Sequence, residues 1–382
     1  MKFVFSLTIF LFVFKYSFSL EINNTLSSSY FVYPNNKNTS INSKKASELK
    51  IETYYDIDQI RLVSELLARL DSEDSGRRQL EAREAYLNSS YSNVDIFIGH
   101  RQVFWGVNES RNIVDIINQK DSAANEGSDA KLGSPSISVE KITNFGDNQL
   151  WFIPRFRNKT FNDSDSHPSS GIEVLSSSYE RKDGQNANDY AYRISNSYNS
   201  WDYAGSVFYG TSRDPILKKN ISNTGLEAFY PKLRSFGFEG QFTGEQTLLK
   251  LETLSGIQSN ENFFSIVNGI EYTKYGIFEK NWDLGFILES QFDDRPQAVS
   301  NQFFVIGKRL ILNDTSDSNV LTLLTIDNYS DQSFFTLEGS RRINEWSSIE
   351  ISSKFYNAKK QASPFKQLSD DDEIQLKLKI YF

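Results

Sequence analysis

The most restrictive feature of this sequence is the alternation of apolar and polar residues in runs of about ten residues. In the C-terminal run, apolar residues occupy every even position from Ile374 to Phe382, and the odd positions are mostly polar. The same alternation recurs in residues 236–242, 282–292 and 349–356. Because successive side chains of a strand point to opposite faces, each run predicts a β-strand with one apolar and one polar face.

Such strands could form a soluble sandwich or a barrel that crosses a membrane. Strands of about ten residues can cross a bilayer at a tilt, whereas sandwich strands average about five or six. A bilayer offers no water to unpaired backbone groups, so a sheet that spans it must close. Aromatic residues mark the strand ends, as interfacial girdles require: Tyr190, Tyr198, Trp201, Tyr203, Trp282, Trp346 and Tyr356. We therefore predict an all-β, transmembrane, antiparallel up-and-down β-barrel.

Connection lengths predict the strand count and the orientation. Outer-membrane barrels combine short periplasmic turns with long outer loops, which predicts about 16 strands, with roughly 14 to 18 possible. The barrel is predicted over residues 48–382, with the first of the 16 counted strands beginning near Gln59 and the N-terminus on the periplasmic side; residues 48–57 alternate weakly and are not counted as a strand. Residues 171–180 also alternate weakly, but counting them together with 48–57 would turn the predicted loop 106–135 towards the periplasm. The long outer loops are predicted at about 106–135, 158–189, 213–232 and 357–372.

The N-terminus has the layout of a targeting segment. Residues 3–14 are nearly all apolar, Lys15 follows, and Ser17 and Ser19 supply small residues for a cleavage site. Residues 1–19 are therefore predicted to be a secretory signal peptide, with an uncleaved anchor as the alternative. The stretch 20–47 is rich in Asn, Ser and Lys and predicts a flexible periplasmic lead-in.

Composition argues against several classes of protein. The 49 acidic residues outnumber the 41 basic ones, so the formal net charge of −8 argues against nucleic acid as a partner. The chain has no cysteine, which excludes disulfides and thiolate metal sites. Its two histidines, His100 and His167, have no evident serine partner. The acidic run 370–372 is interpreted as solvated rather than as a calcium site. We predict no enzyme and no catalytic, cofactor-binding or metal-binding residue.

The polar faces of the strands predict the lining of a channel. If the apolar faces meet lipid, the polar faces line the lumen. Both signs of charge occur there, so we expect no strong ion selectivity. The alternative is that these residues only keep the inner wall wetted. The candidate pore-lining residues are Glu239, Glu271, Asp283, Glu289, Glu350, Lys354, Lys377 and Lys379.

The segment 106–135 is too long for a simple connection and is apolar in its centre, from Ile113 to Ile117. We hypothesise that it folds back into the barrel mouth as a constriction; the alternative is a loop that lies across the rim. The candidate constriction residues are Arg101, Trp105, Arg111, Asp115 and Asp121.

Residues 98–106 and 114–121 carry a motif: Gly-Arg-Gln, then Trp-Gly, then an apolar run that ends near Asn-x-x-Asp. It resembles a motif of a poorly characterised family of porin-like outer-membrane barrels from Gram-negative bacteria. His100 is an insertion, and Gln119 stands where that family has proline. Residues 188–193 and 214–215 also resemble that family. The resemblance covers the chain from about residue 48 and implies a channel or exporter without a catalytic residue. The matching residues are Gly99, Arg101, Gln102, Trp105, Gly106, Asn118 and Asp121.

These observations predict a porin-like outer-membrane channel for passive passage of small solutes. Two alternatives stay open: a transporter specific for a hydrophobic compound, and a structural or adhesive barrel with a blocked lumen. The expected partners are outer-membrane lipid and lipopolysaccharide, small solutes, and the barrel-assembly machinery, which would read the C-terminal strand ending at Phe382. For the oligomeric state, the two alternatives are a monomer and a homotrimer.

Overall fold

A computed structural model describes residues 18–35, 41–124, 130–161, 173–220, 225–298, 301–327, 331–358 and 372–382. In these ranges, eighteen strands form one antiparallel sheet. They are β1 Phe18–Val32, β2 Ser43–Ile57, β3 Ile60–Asp71, β4 Gln79–Tyr91, β5 Val94–Arg101, β6 Ser134–Thr143, β7 Gly146–Ile153, β8 Asp189–Tyr198, β9 Trp201–Thr211, β10 Lys232–Thr243, β11 Thr247–Gln258, β12 Glu261–Ile277, β13 Trp282–Asp293, β14 Gln302–Ile311, β15 Asn319–Asp327, β16 Gln332–Asn344, β17 Ser347–Ala358 and β18 Glu373–Tyr381.

The sheet closes on itself because β1 pairs with both β2 and β18. On the β18 side the register runs from Thr25 opposite Tyr381 to Val32 opposite Ile374. Closure pairs the backbone groups that the edges of an open sheet would leave exposed. The predicted all-β antiparallel barrel is confirmed.

The barrel has eighteen strands, within the predicted range but two more than the preferred count. The additional strands are β1 and β2, so the prediction that residues 20–47 are a flexible lead-in is wrong, and the barrel begins before residue 48. In β1, Asn24 and Ser28 interrupt the apolar face, which hides the alternation, but pairing with both neighbours stabilises the strand. Of the predicted signal peptide, residues 1–17 lie outside the described residues, whereas Phe18 and Ser19 begin β1.

The connections sort the barrel into two ends. The end where β1 begins has connections of two to seven residues, such as 58–59, 199–200 and 312–318. The other end, called the loop end below, carries the long connections 102–133, 154–188, 212–231 and 359–372. The predicted long loops fall at this end. Of the last one, residues 359–371 lie outside the described residues.

The two faces of the wall differ as the alternation predicts. Outward positions expose large apolar side chains, for example Phe236 (53% exposed), Leu288 (52%) and Leu378 (40%). Inward positions carry mostly polar residues. His100 faces outward on β5, and His167 lies outside the described residues. In the described part of the chain, no helix is long and apolar enough to cross a membrane.

A small three-stranded sheet belongs to the loop end rather than to the barrel wall. Strand Val174–Tyr179 pairs in parallel with Leu226–Tyr230, which also pairs antiparallel with Ile216–Lys219. Phe156 packs against Tyr179 and Tyr230, with ring centroids 6.1 and 4.9 Å away. The weak alternation of residues 171–180 therefore reflects a strand of this sheet.

Candidate functional site

Residues 102–133, called the plug segment here, leave β5 and return to β6 through the inside of the barrel; of these, 125–129 are not among the described residues. Arg101 and Ser134 pair directly, so the wall is continuous beneath the segment. Its apolar centre is buried against inward-facing residues of the wall. The cluster comprises Trp105, Ile113, Val114, Ile116 and Ile117 of the plug segment and Trp151, Ile153, Ala191, Phe208, Leu233, Leu254, Phe263 and Val267 of the wall.

Glu252 is the wall residue that binds the plug segment most extensively. This inward-facing carboxylate of β11 is fully buried. Its Oε1 accepts hydrogen bonds from the backbone N–H groups of Val107 and Asn108, at 2.8 and 3.0 Å, and from Asn108 Nδ2 at 3.1 Å. Its Oε2 accepts the N–H groups of Ile113 and Val114, at 2.8 and 3.4 Å. One side chain thus satisfies five donors of a segment without regular structure, which would otherwise be buried unpaired.

Further along the same wall, charged residues hold residues 109–111. Glu289 of β13 accepts the N–H groups of Glu109 and Ser110, at 2.7 and 2.9 Å, and also the Ser110 hydroxyl. Arg111 forms an ion pair with Asp293 at 3.1 Å, and Glu109 pairs with Arg309 of β14. The plug segment therefore crosses to β13 and β14, far around the barrel from its own strands.

On the opposite wall, Asp121 holds the segment. Its Oδ2 lies 3.0 Å from Arg69 Nη2 and 3.2 Å from Arg83 Nη2, and the Asp121 and Arg69 side chains are fully buried. Arg69 also pairs with Glu48 of β2 at 3.0 Å, and the Thr160 hydroxyl donates to Asp121 Oδ1. Asp121 thus joins the plug segment to β3 and β4.

We expect Asp121→Asn to destabilise the barrel by about 3 to 5 kcal/mol, because removing one partner of a buried ion pair leaves uncompensated charge. The measurement is urea unfolding of the refolded protein in detergent. Asp56→Asn is the matched control, because Asp56 pairs with Arg61 at 2.6 Å on the exposed surface. Equal unfolding midpoints for the two variants would contradict the role given to Asp121.

Several residues of the sequence motif hold the base of the plug segment. The Asn118 side chain accepts the Val103 N–H at 2.8 Å and donates to the carbonyls of Arg101 and Leu132. Gly106 has φ +125°, and a Cβ there would lie 2.3 Å from Asn112 Oδ1, so a larger residue does not fit. These contacts give the motif a structural role in bringing the segment inward.

The structure does not bring the candidate constriction residues into one ring. Arg101 faces inward on β5 and pairs with Glu140 at 2.6 Å. Trp105 is buried in the apolar cluster. Arg111 pairs with Asp293, Asp115 with Lys131, and Asp121 with Arg69 and Arg83. Their charges are therefore engaged with different walls or within the segment.

All eight candidate pore-lining residues lie at inward-facing register positions. Glu350 stands opposite Lys377, and Glu271 pairs with Lys250. Between the plug segment and strands β14–β18 lies a cavity of about 680 Å³, whose charged lining includes Glu109, Arg309, Glu338, Glu350, Lys354 and Lys377. Glu289 holds the plug segment, and Glu239 pairs with Arg193. Of the eight candidates, Glu350, Lys354 and Lys377 line this cavity. Glu239, Glu271 and Lys379 form ion pairs with other wall residues, and Asp283 accepts a hydrogen bond from Asn313 Nδ2.

No family model and no curated protein matches this chain. One similar solved structure is Wzi of Escherichia coli, described as an outer-membrane protein involved in group 1 capsule assembly and as a carbohydrate-binding β-barrel. It is 11% identical, over 94% of this chain and 84% of that one, with a TM-score of 0.56. Two mutants of Rh. blastica porin are 10% and 11% identical, over 95% of this chain and 100% of theirs, with TM-scores of 0.49. At these identities the likeness shows the fold alone.

Proposed function

We propose that this protein is an outer-membrane channel of the porin type whose passage the plug segment narrows to a polar route for small hydrated solutes. The apolar outer face and the closed sheet support a barrel in a membrane. The short connections would face the periplasm and the loop end the cell exterior. The observation that carries the proposal is the 680 Å³ polar cavity left beside the plug segment.

A wide diffusion pore fits the geometry less well. An open barrel of about 16 to 18 strands leaves an aqueous channel, but here the apolar cluster fills the lumen beside β7–β12. Most residues that line the cavity are charged or polar, with Ile311, Leu321 and Ile351 as the apolar ones, and this argues against a route for a hydrophobic compound.

Planar-bilayer recording of the refolded protein tests the proposal. The cavity lining contains the acids Glu109, Asp317, Glu338 and Glu350 and the bases Arg309, Lys354 and Lys377. Because the two signs nearly balance, we expect small, resolvable conductance steps with weak cation selectivity across a potassium chloride gradient. A reversal potential close to that of an ideal ion-selective channel would contradict this assignment of the route.

A carbohydrate-binding barrel with a blocked lumen is the second candidate. The contacts that fix the plug segment favour a blocked lumen, and Wzi, which has a similar fold, is described as a carbohydrate-binding β-barrel. Folded protein that inserts into bilayers but gives no conductance steps would support this candidate and reject the channel.

A further inference from the structure

The loop-end face of the plug segment carries a second, smaller cavity of about 150 Å³. Part of its lining is apolar and belongs to the buried apolar cluster: Ile113, Ile116 and Leu233. The remaining wall comes from the ends of loop segments and is strongly basic. The charged lining residues are Arg111, Asp115, Lys120, Lys159, Arg213, Asp214 and Arg295.

The charges of this cavity do not balance. Asp293 lies 3.1 Å from Arg111 and 2.8 Å from Arg295, so one carboxylate serves two guanidinium groups. The ammonium groups of Lys120 and Lys159 make no hydrogen bond or ion pair within the described residues, and neither does the Asp214 carboxylate. Four cations therefore face two carboxylates. Asp115 and Arg213 are paired separately, with Lys131 and Asp189.

The pKa shifts of Asp214 and Lys159 reflect the same excess of positive charge. Burial alone would raise the pKa of Asp214, but Lys159, Arg295, Lys120 and Arg111 outweigh it and hold the pKa at about 2. Burial lowers the pKa of Lys159, and Lys120 and Arg111 act in the same direction, against Asp214. The surplus cations of the cavity would therefore stabilise a further negative charge placed there.

We propose that this cavity binds an anionic oxygen group, a carboxylate or a phosphate, of a small solute that arrives from the loop end. Lys120 and Lys159 would contact the group directly, because both residues line the cavity and their ammonium groups have no other partner in the described part of the chain. A volume of 150 Å³ corresponds to about five waters at roughly 30 Å³ each, which is enough for the anionic group and a few further atoms of the solute. The Asp214 carboxylate, which lines the same cavity, competes with the bound anion for these cations.

Titration calorimetry of the full-length protein, refolded in detergent at low salt, tests the proposal. The probes are D-glucuronate and inorganic phosphate, and neutral glucose serves as the blank. We expect at least one anionic probe to bind and glucose not to bind. The two anionic probes distinguish the kinds of group that the site accepts. Binding of glucuronate alone indicates a carboxylate site, and binding of phosphate alone indicates a phosphate site. Failure of both anions to bind overturns the proposal.

Variants of opposite expected effect assign the binding to this cavity. Lys120→Met and Lys159→Met should each weaken the binding of the anion by about tenfold, because each removes a charge-assisted contact. Asp214→Asn should strengthen the binding of the anion several-fold, because the Asp214 side chain then no longer competes with the anion as a negative charge. Lys219→Met, an exposed lysine at the end of strand Ile216–Lys219, is the control. Anion binding that Lys120→Met and Lys159→Met leave unchanged would also overturn the proposal. No bilayer is involved, so this result is independent of whether the barrel conducts.

Discussion

Deletion of residues 107–131 is expected to raise the single-channel conductance several-fold. The deletion removes the apolar centre of the plug segment and all its contacts with Glu252, Glu289 and Asp293. The remaining residues can still connect β5 to β6, because Arg101 and Ser134 are direct neighbours in the sheet. The emptied lumen would fill with water, as in open barrels of similar strand number, and water would solvate the wall carboxylates.

The control for this deletion shortens another loop-end segment, which belongs to the small three-stranded sheet. Replacing residues 218–227 with Asn-Gly joins Leu217 to Ala228, which already face each other across an antiparallel pair. A two-residue Asn-Gly turn suits such a hairpin. We expect this variant to conduct like the unmodified protein. If the deletion of 107–131 also leaves the conductance unchanged, the plug segment does not limit the passage.

Local alternation was enough to predict the barrel and most of its strands, but it left β2 uncounted and missed β1 altogether. The lumen-facing positions of β1 include Ser27 and Ser29, and its outward face contains Asn24 and Ser28, so the contrast between the faces is small. What stabilises β1 is pairing with β2 and β18, the latter more than three hundred residues away in sequence. A window of sequence does not contain such long-range pairing.

The plug segment, too, was only partly predictable from the sequence. Its length and apolar centre indicated that it packs on something, but its wall partners Glu252, Arg69 and Arg309 were not predicted. An inward-facing charged residue looks the same in sequence whether it meets water or a buried backbone N–H. Around Glu252 the alternation is also weak, since Leu249, Leu251 and Leu254 fall on both faces. Only the folded barrel brings these residues to the segment.

Glu252→Ala is expected to release the part of the plug segment from Val107 to Val114 without unfolding the barrel. Five N–H donors lose their acceptor, and leaving buried donors unpaired costs about 1 to 3 kcal/mol for each group. The segment should therefore leave the wall part of the time, so that water can solvate these donors. In bilayer recordings we expect a second, larger conductance level with frequent transitions. Trypsin added from the loop end should cleave after Arg111 faster than in the unmodified protein.

Glu271→Ala is the matched control, because Glu271 faces the same lumen from β12 and pairs with Lys250 rather than with the plug segment. It removes the same charge and the same side-chain volume, so a change in both variants would indicate a general effect of lumen charge. Glu252→Gln should fall between Glu252→Ala and the unmodified protein: the amide oxygen can still accept from Val107 and Asn108, whereas the amide nitrogen would face the donors of Ile113 and Val114. This order of trypsin sensitivity requires hydrogen bonding by Glu252, because the loss of charge alone would make the two Glu252 variants equivalent.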